Sequence, residues 1–146
     1  MNLLDYIRKR NGVPFGANNS LKNLMIRSLG AGMFSKFWNY WNYWNPIWGY
    51  YLGKFVFKPL KYFLPSSLSL ILTFCICGLL HDFVIMLYRW ELTLLFIPWF
   101  LIMGLWVIIS DFVKLDYSKS PWINRAIINI TSIGCCFIIS YQLRLF

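Results

Sequence analysis

The sequence predicts an all-α, polytopic membrane protein with about three transmembrane helices, preceded by N-terminal amphipathic helices that are interfacial or re-entrant. Three observations predict this class. Hydrophobic residues make up 59% of the 146 residues, whereas a soluble domain has about 45–50%. Charged residues make up only 13%, about half the usual share. Three apolar segments in the second part of the chain approach the ~20 residues that a membrane span requires.

The charged residues divide the chain into a basic, aromatic-rich interfacial region, residues 1–66, and a helical transmembrane domain, residues 67–146. The first region carries nine basic residues and one acidic residue, and the second carries five basic and four acidic residues. Because Lys and Arg accumulate in cytoplasmic segments beside spans, we expect a cytoplasmic N-terminus that contacts the anionic headgroups of the lipid bilayer. In a bacterium this would be the inner membrane. Basic charge can also indicate nucleic-acid binding, but the high hydrophobicity argues against it.

An amphipathic helix is predicted from Leu21 to Phe37, after an Asn11–Ser20 stretch rich in Gly, Pro and Asn that predicts a loop. The apolar positions of this segment recur at helical spacing: Leu21, Leu24, Met25, Leu29 and Met33. Lys22 and Arg27 fall between them. This pattern is typical of a short helix at the membrane surface.

Aromatic residues dominate the next segment, Phe37–Tyr51, which contains the FWxxWN motif. Its large aromatic residues at helical spacing are Phe37, Trp38, Trp41, Trp44 and Trp48, and asparagines recur at Asn39, Asn42 and Asn45. An aromatic belt at the headgroup level is one interpretation, but it does not explain the repeating asparagines. Pro46 predicts a break or kink in the helix. The Lys-rich Leu52–Phe63 stretch, interrupted by Pro59, predicts an interfacial segment.

Three spans are predicted, at Leu68–Tyr88, Leu92–Phe112 and Ala126–Leu143. The third is the weakest because polar residues interrupt it, and such residues usually face other helices. These are Asn129, Thr131, Ser132 and Ser140. A cytoplasmic N-terminus puts the Arg89–Glu91 link outside and the Asp111–Arg125 connection inside, where its basic residues satisfy the charge rule.

The four cysteines all fall in apolar segments, at Cys75, Cys77, Cys135 and Cys136. Their spacing matches neither a disulfide framework nor a zinc site. We therefore expect small buried hydrophobic residues and no metal site.

His81 is the single histidine of the chain, and it lies beside Asp82 within the first predicted span. The 21 residues of that span make a helix of about 31 Å. A charged group at the centre of a span costs about 2.5–3.5 kcal/mol on insertion scales, and such groups usually mark a functional site. A structural histidine bonded to another helix is the alternative. The His81–Asp82 pair is nevertheless where we expect function.

Two motifs follow one another at a characteristic spacing. They are Phe37-Trp38-Asn39-Tyr40-Trp41-Asn42, continued by Tyr43-Trp44-Asn45-Pro46, and Phe74-Cys75-Ile76-Cys77-Gly78-Leu79-Leu80-His81-Asp82. This order resembles the signature of the membrane-bound O-acyltransferase (MBOAT) superfamily, in which Phe-Trp-x-x-Trp and an Asn or His precede a Gly/Ala-x-x-His. Lys58-Pro59-Leu60 fits the basic Pro-Leu stretch between them. The resemblance covers about one third of the chain.

The resemblance implies that His81 is the catalytic histidine and Asn42 the second polar residue of the site, with Asn45 taking that place in an alternative register. It also implies that Trp38 and Trp41 line the substrate site. The reaction would transfer an acyl group from acyl-CoA, used as a substrate rather than a tightly bound cofactor, to a hydroxyl acceptor on a glycan or lipid.

The chemistry suits these residues. Transfer from a thioester to a hydroxyl needs a base, and histidine serves near neutral pH. An asparagine amide can orient that base or donate to the oxyanion. The missing side chain of Gly78 leaves room for a substrate or for a close helix. Asp82 is a weaker catalytic candidate, because adjacent residues on one helix point about 100° apart.

Members of the superfamily are usually several times longer, and this departure leaves other functions open. The chain would act as a homo-oligomer, with a partner membrane subunit, or as an inactive relative. In a non-catalytic membrane subunit the Asn, Asp and His groups would bond between helices. A proton pathway through His81 and Asp82 is a third hypothesis, but it lacks further buried carboxylates.

Overall fold

The computed structural model describes residues 2–14, 16–41, 46–92 and 94–144, and these residues form helices and no β-strand. The α-helices are α1 (Leu3–Asn11), α2 (Ser20–Leu29), α3 (Phe34–Trp41), α4 (Pro46–Leu52), α5 (Lys58–Leu60), α6 (Ser66–Arg89), α7 (Phe96–Phe112) and α8 (Trp122–Arg144). A π-helical segment, Gly53–Phe57, lies between α4 and α5. The all-α class is confirmed for the described part of the chain.

Two helices, α6 and α8, are long and apolar enough to cross a membrane. α6 has 24 residues and is therefore about 36 Å long. It begins after Pro65 and ends at Arg89, and the backbone of the following residue, Trp90, is left-handed (φ 55°). α8 begins after Pro121. The predicted segments Leu68–Tyr88 and Ala126–Leu143 lie within these two helices.

The second predicted span is wrong at its start, because α7 begins at Phe96 rather than Leu92. With 17 residues the helix is about 26 Å long and is shorter than the other two. Pro98 lies in its first turn, where the missing N–H of proline breaks no helical hydrogen bond. The Asp82 carboxylate, described below, sets the start of this helix.

The predicted continuous helix from Leu21 to Phe37 is also wrong, because the chain turns between α2 and α3. Two glycines at this corner let other segments approach closely. A Cβ atom on Gly30 would lie 2.5 Å from the indole of Trp122, and one on Gly32 would lie 2.4 Å from Cβ of Ser118. Tertiary contacts therefore end α2 at Leu29, although the helical spacing of apolar residues continues beyond it in the sequence.

Pro59 alters the helical hydrogen bonding of the Leu52–Phe63 stretch without ending the helical path. Its ring would clash with the carbonyl four residues earlier in an ordinary α-helix. The wider π-helical turn, in which the Lys58 N–H bonds to the Gly53 carbonyl, precedes it directly. Helix α4 begins at Pro46. The residues before it, 42–45, lie outside the described part of the chain, so the break or kink expected there stays a prediction.

The chain packs into two compact units, which comprise Met1–Tyr51 with Ile109–Thr131, and Leu52–Ile108 with Ser132–Phe146. Buried apolar residues in the first unit include Ile7, Leu24, Ala31, Phe34 and Phe37, and those in the second include Phe100, Met103, Val107 and Cys136. The four cysteines are free thiols. Cys135 is exposed, so the expectation that all four are buried is wrong there.

Asn129 fastens the corner between α2 and α3 to the start of α8 within the first unit. Its side chain is fully buried and donates to the carbonyls of Leu29 at 2.9 Å and Ala31 at 3.0 Å. Its own amide oxygen accepts from the Tyr117 hydroxyl at 2.6 Å. This confirms that the polar group faces other parts of the protein. Burial raises the pKa of Tyr117 to about 12, so the phenol remains a donor at neutral pH.

We expect Asn129→Leu to destabilise the first unit by several kcal/mol, since it leaves two buried carbonyls and one hydroxyl without a partner at about 1–3 kcal/mol each. Tyr117→Phe removes one of these bonds and should cost about 1 kcal/mol. Thermal unfolding in detergent measures both effects. Equal losses for the two variants would contradict a network centred on Asn129.

Candidate functional site

The candidate site is built in the second unit, where α6 carries Gly78, His81 and Asp82 past the N-terminus of α7. The helical path of α6 puts Gly78 and Asp82, four residues apart, on one face. Both are buried, whereas His81, about 100° round the helix, is exposed. Neighbouring residues in the sequence therefore have different surroundings, and each is described in turn.

Asp82 caps α7 from a different helix. Its carboxylate accepts hydrogen bonds from the backbone N–H groups of Leu95 (2.9 Å), Phe96 (2.9 and 3.1 Å) and Ile97 (2.9 Å). The first four N–H groups of a helix have no partner within it. Asp82 satisfies three of them, and the fourth position is Pro98, which has no N–H. The helix therefore begins with no unpaired donor.

The electrostatics of this cap are favourable without a cation. The N-terminus of a helix carries roughly half a positive charge, which stabilises an adjacent carboxylate. Hydrogen bonds from backbone N–H groups to an ionised acceptor are about twice as strong as neutral ones. The side chain of Asp82 is fully buried, so these interactions replace its hydration. Asp82 is thus engaged by α7 rather than directed at the imidazole.

Gly78 lies where the backbones of α6 and α7 touch. A Cβ atom at this position would be 2.7 Å from the Phe96 carbonyl oxygen and 2.9 Å from Cα of Ile97. Of the two alternatives for this glycine, room for a substrate or for a close helix, the described residues show the close helix. The absent side chain is what lets Asp82 reach the start of α7.

We expect Gly78→Ala to destabilise the protein by about 1–3 kcal/mol, because the added methyl overpacks against backbone that cannot rotate away. Gly104→Ala is the milder comparison, since its Cβ would lie 3.3 Å from Cβ and Cγ of Phe74, a contact that a shift of a few tenths of an ångström relieves. A Cβ atom added at Gly134 would meet nothing within 4 Å, so Gly134→Ala should stabilise α8 by up to about 1 kcal/mol. Equal unfolding temperatures for all three variants would contradict this account.

The imidazole of His81 rests on an aromatic surface of α7. Its ring centroid lies 5.4 Å from that of Phe96 and 5.3 Å from that of Phe100. Trp99 contacts both phenylalanines and also meets Phe137 of α8 at 5.0 Å, edge to face. No residue in the described ranges hydrogen-bonds to the imidazole.

The aromatic motif belongs to the first unit, on α3. Trp38 meets Phe37 edge to face at 5.3 Å and Phe34 at 6.1 Å, and Trp41 stacks on Phe37 at 5.2 Å. Phe34 and Phe37 are fully buried and the two tryptophans are half-buried. Much of the motif thus forms the core of the first unit. Asn42 and Asn45 lie outside the described residues, so their role stays a prediction.

Tertiary structure reveals polar roles that the sequence did not identify. The spacing of Asp82 from Leu95 to Ile97 carries no recognisable capping signal, because the cap and the helix belong to different segments. In the 113–121 connection, hydrogen bonds from the side chain and backbone of Ser118 lower the pKa of the exposed Asp116, with a further contribution from Lys36. Ser35 donates to Asp111 at 2.7 Å.

Comparisons of the chain with family models, with curated proteins and with solved structures found no match.

Proposed function

We propose that this chain is a membrane-embedded O-acyltransferase in which His81 is the general base. The observation that carries the proposal is the difference between two neighbours on α6. The Asp82 carboxylate is used by the start of α7, whereas His81 is exposed and bonds to no described residue. A general base must be reachable by the hydroxyl whose proton it takes, and an exposed imidazole meets that requirement. The resemblance of its motif to the MBOAT superfamily supplies the reaction type.

Three helices would cross the bilayer in this proposal: α6, α7 and α8. α7 is short because its N-terminus would begin inside the membrane, seven residues or about 10 Å below the Arg89 end of α6. Backbone donors at that depth need partners within the protein. Asp82 and Pro98 meet this requirement without water. The cap is thus the feature of α7 that supports a membrane location.

The same topology puts the N-terminal helices and the 113–121 connection on the cytoplasmic side. These segments are joined by the Tyr117 N–H bond to the Gly32 carbonyl and by the Asn129 bonds. Together with the start of α8, which holds Arg125, they carry twelve of the fourteen basic residues of the chain. Arg89 and Arg144 would lie on the opposite side. This distribution agrees with the positive-inside rule.

The proposed reaction moves one proton out and back. An unprotonated nitrogen of His81 takes the proton of the acceptor hydroxyl as its oxygen attacks the thioester carbonyl of acyl-CoA. The carbon–sulfur bond then breaks, an ester forms, and the imidazolium returns the proton to the leaving CoA thiolate. Asn42, or Asn45, would orient the base or donate to the oxyanion. By the same resemblance, Trp38 and Trp41 would border the substrate path, while Gly78 holds α6 against α7.

The position of His81 along α6 would let two substrates approach it from opposite sides of the membrane. His81 lies 15 residues, about 22 Å, from the Ser66 end of α6 and about 12 Å from the Arg89 end. A cytosolic acyl-CoA would extend its acyl chain from the first end, and a hydroxyl acceptor would approach from the second. A glycan and a lipid acceptor both satisfy this geometry.

A non-catalytic membrane subunit is the second candidate function. One observation favours it: Asp82 and Asn129, two of the polar groups within α6 and α8, form bonds between segments of the protein. The exposed His81 would then bond to a partner subunit or a second copy of the chain. This function predicts that the chain is isolated with a larger protein and consumes no thioester.

The deciding experiment is purification in mild detergent, native mass determination and incubation with labelled acetyl-CoA or longer acyl-CoA, with His81→Ala in parallel. Release of free CoA and transfer of label to a glycan or lipid, both dependent on His81, would establish the enzyme. The mass would identify a monomer, a homo-oligomer or a complex. A folded wild-type protein without turnover in any assembly would reject catalysis and favour the subunit.

A further inference from the structure

Helix α2 buries two serines together with Leu24 and leaves three of its large apolar side chains exposed. Ser20, Leu24 and Ser28 follow one another at four-residue intervals and are 6%, 1% and 0% exposed. On the other face, Leu21, Met25 and Ile26 are 50%, 37% and 46% exposed. A helix on a soluble protein normally does the reverse. The face that carries Leu21, Met25 and Ile26 is therefore expected to be more stable in an apolar environment than in water.

The buried face of α2 is well packed. Rotating the helix about its axis to bury the exposed apolar residues would therefore not be favourable. The Asn11 amide donates to the Ser20 hydroxyl at 3.0 Å, and the Ser28 hydroxyl donates to the Leu24 carbonyl at 2.7 Å. Rotation of α2 would break the bond between Asn11 and Ser20 and expose Leu24. The exposed apolar residues of α2 must therefore be covered by something other than the first unit.

The position of α2 along α8 indicates what covers these residues. The Trp122 indole, at the first residue of α8, donates to the Ile26 carbonyl at 3.0 Å. Asn129, two turns further on, donates to the Leu29 carbonyl at 2.9 Å. A span that starts at a tryptophan typically starts at the headgroup level. Helix α2 is thus held level with the membrane boundary.

Charge identifies the kind of membrane surface. Lys22 is exposed beside Leu21 on α2, and α1 exposes Arg8 and Lys9 together with Leu4, which is 66% exposed. The first unit as a whole holds nine basic and three acidic residues, a net charge of +6. Mixed basic and apolar faces of this kind bind bilayers that contain anionic lipids.

We infer that α2 is an interfacial helix whose Leu21, Met25 and Ile26 side chains enter the acyl-chain boundary of an anionic bilayer, with Lys22 at the phosphates. The inference rests on the membrane insertion in the proposed function but not on acyl transfer. A water-exposed helix or a covering protein partner would each contradict it.

The test uses nitroxide labels in lipid nanodiscs made of phosphatidylcholine with or without phosphatidylglycerol. The four native cysteines are replaced by serine or alanine, and single labels are attached to Met25→Cys, Leu79→Cys or Asn18→Cys. Asn18 is an exposed polar loop residue, and Leu79 is an exposed residue within α6. Relaxation by oxygen and by a water-soluble nickel chelate gives the depth of each label.

The label on Met25→Cys should lie about 5–10 Å below the phosphates in anionic discs, while that on Asn18→Cys stays in water. Its depth should decrease in neutral discs, in high salt and with Lys22→Glu. A Met25 label as accessible to nickel as the Asn18 label would overturn the inference, as would one accessible to neither reagent. Unchanged depth in neutral discs would overturn the assignment of Lys22 to the headgroups.

The Leu79→Cys label separates this inference from the proposed function. If that label lies outside the lipid, the membrane location itself fails; if it lies within lipid and the Met25 label does not, only the role of α2 fails. Should the cysteine-free chain not fold, wild-type protein can be photolabelled with phosphatidylglycerol carrying an acyl-chain diazirine. Adducts within residues 21–26 are expected, and their absence would overturn the inference.

Discussion

Replacement of His81 by alanine is expected to lower the rate of acyl transfer by about 10²–10⁴-fold, the usual contribution of a general base, without unfolding the protein. The side chain is exposed and forms no hydrogen bond with a described residue. Among the described residues its ring pairs with those of Phe96 and Phe100, which also pack on one another. The loss should thus appear in the initial rate of CoA release and not in the circular dichroism spectrum or the unfolding temperature.

Two further variants separate catalysis from structure. His81→Gln keeps hydrogen-bonding capacity but cannot accept a proton at neutral pH, so it should be as inactive as His81→Ala. Phe83→Ala alters an exposed residue of the same helix and should leave turnover unchanged. An active glutamine variant would reject His81 as the base. A glutamine variant that preserves a stable complex, where the alanine variant loses it, would favour the subunit function.

Asp82→Ala is expected to cause a large loss of stability, because the substitution removes the cap of α7. It would leave three buried N–H groups at the start of that helix without an acceptor, at about 1–3 kcal/mol each. It would also remove the charge that complements the helix N-terminus. We expect a loss of at least about 3 kcal/mol in denaturant unfolding, with faster proteolysis of the link between α6 and α7.

Asp82→Asn and Asp111→Asn provide the matched comparison. The amide at position 82 keeps one oxygen for the helix but turns an NH2 group towards its N–H donors, so an intermediate loss is expected. Asp111 is exposed and accepts from Ser35 in the first unit, so its substitution should change stability by less than about 0.5 kcal/mol. If Asp82→Ala unfolds at the same denaturant concentration as wild type, the cap does not hold α7.

The Asp82→Asn variant also tests whether Asp82 acts on catalysis through position. The cap holds Phe96 beneath the imidazole, so Asp82→Asn should lower turnover in proportion to its disturbance of α7. It should not change the pH dependence of the rate, because the carboxylate does not contact the reacting atoms in this proposal. A shifted pH profile would instead indicate direct coupling between Asp82 and His81.

Prediction from sequence succeeded where the signal is local. Apolar length and helical spacing predicted α6 and α8. The same reasoning failed at Leu92 and across the corner between α2 and α3. At both places a contact with a distant segment, the Asp82 carboxylate or Trp122, determines where the helix begins or ends.

The sequence by itself determined the all-helical class, the basic N-terminal region and the motif that singles out His81, because composition and helical periodicity act over a few residues. Only the tertiary structure decided what Gly78 and Asp82 do. Their surroundings depend on the return of the chain after Trp90, which brings the start of α7 against one face of α6. His81 lies on a different face, and helical geometry therefore separates the exposed imidazole from the buried carboxylate beside it in the sequence.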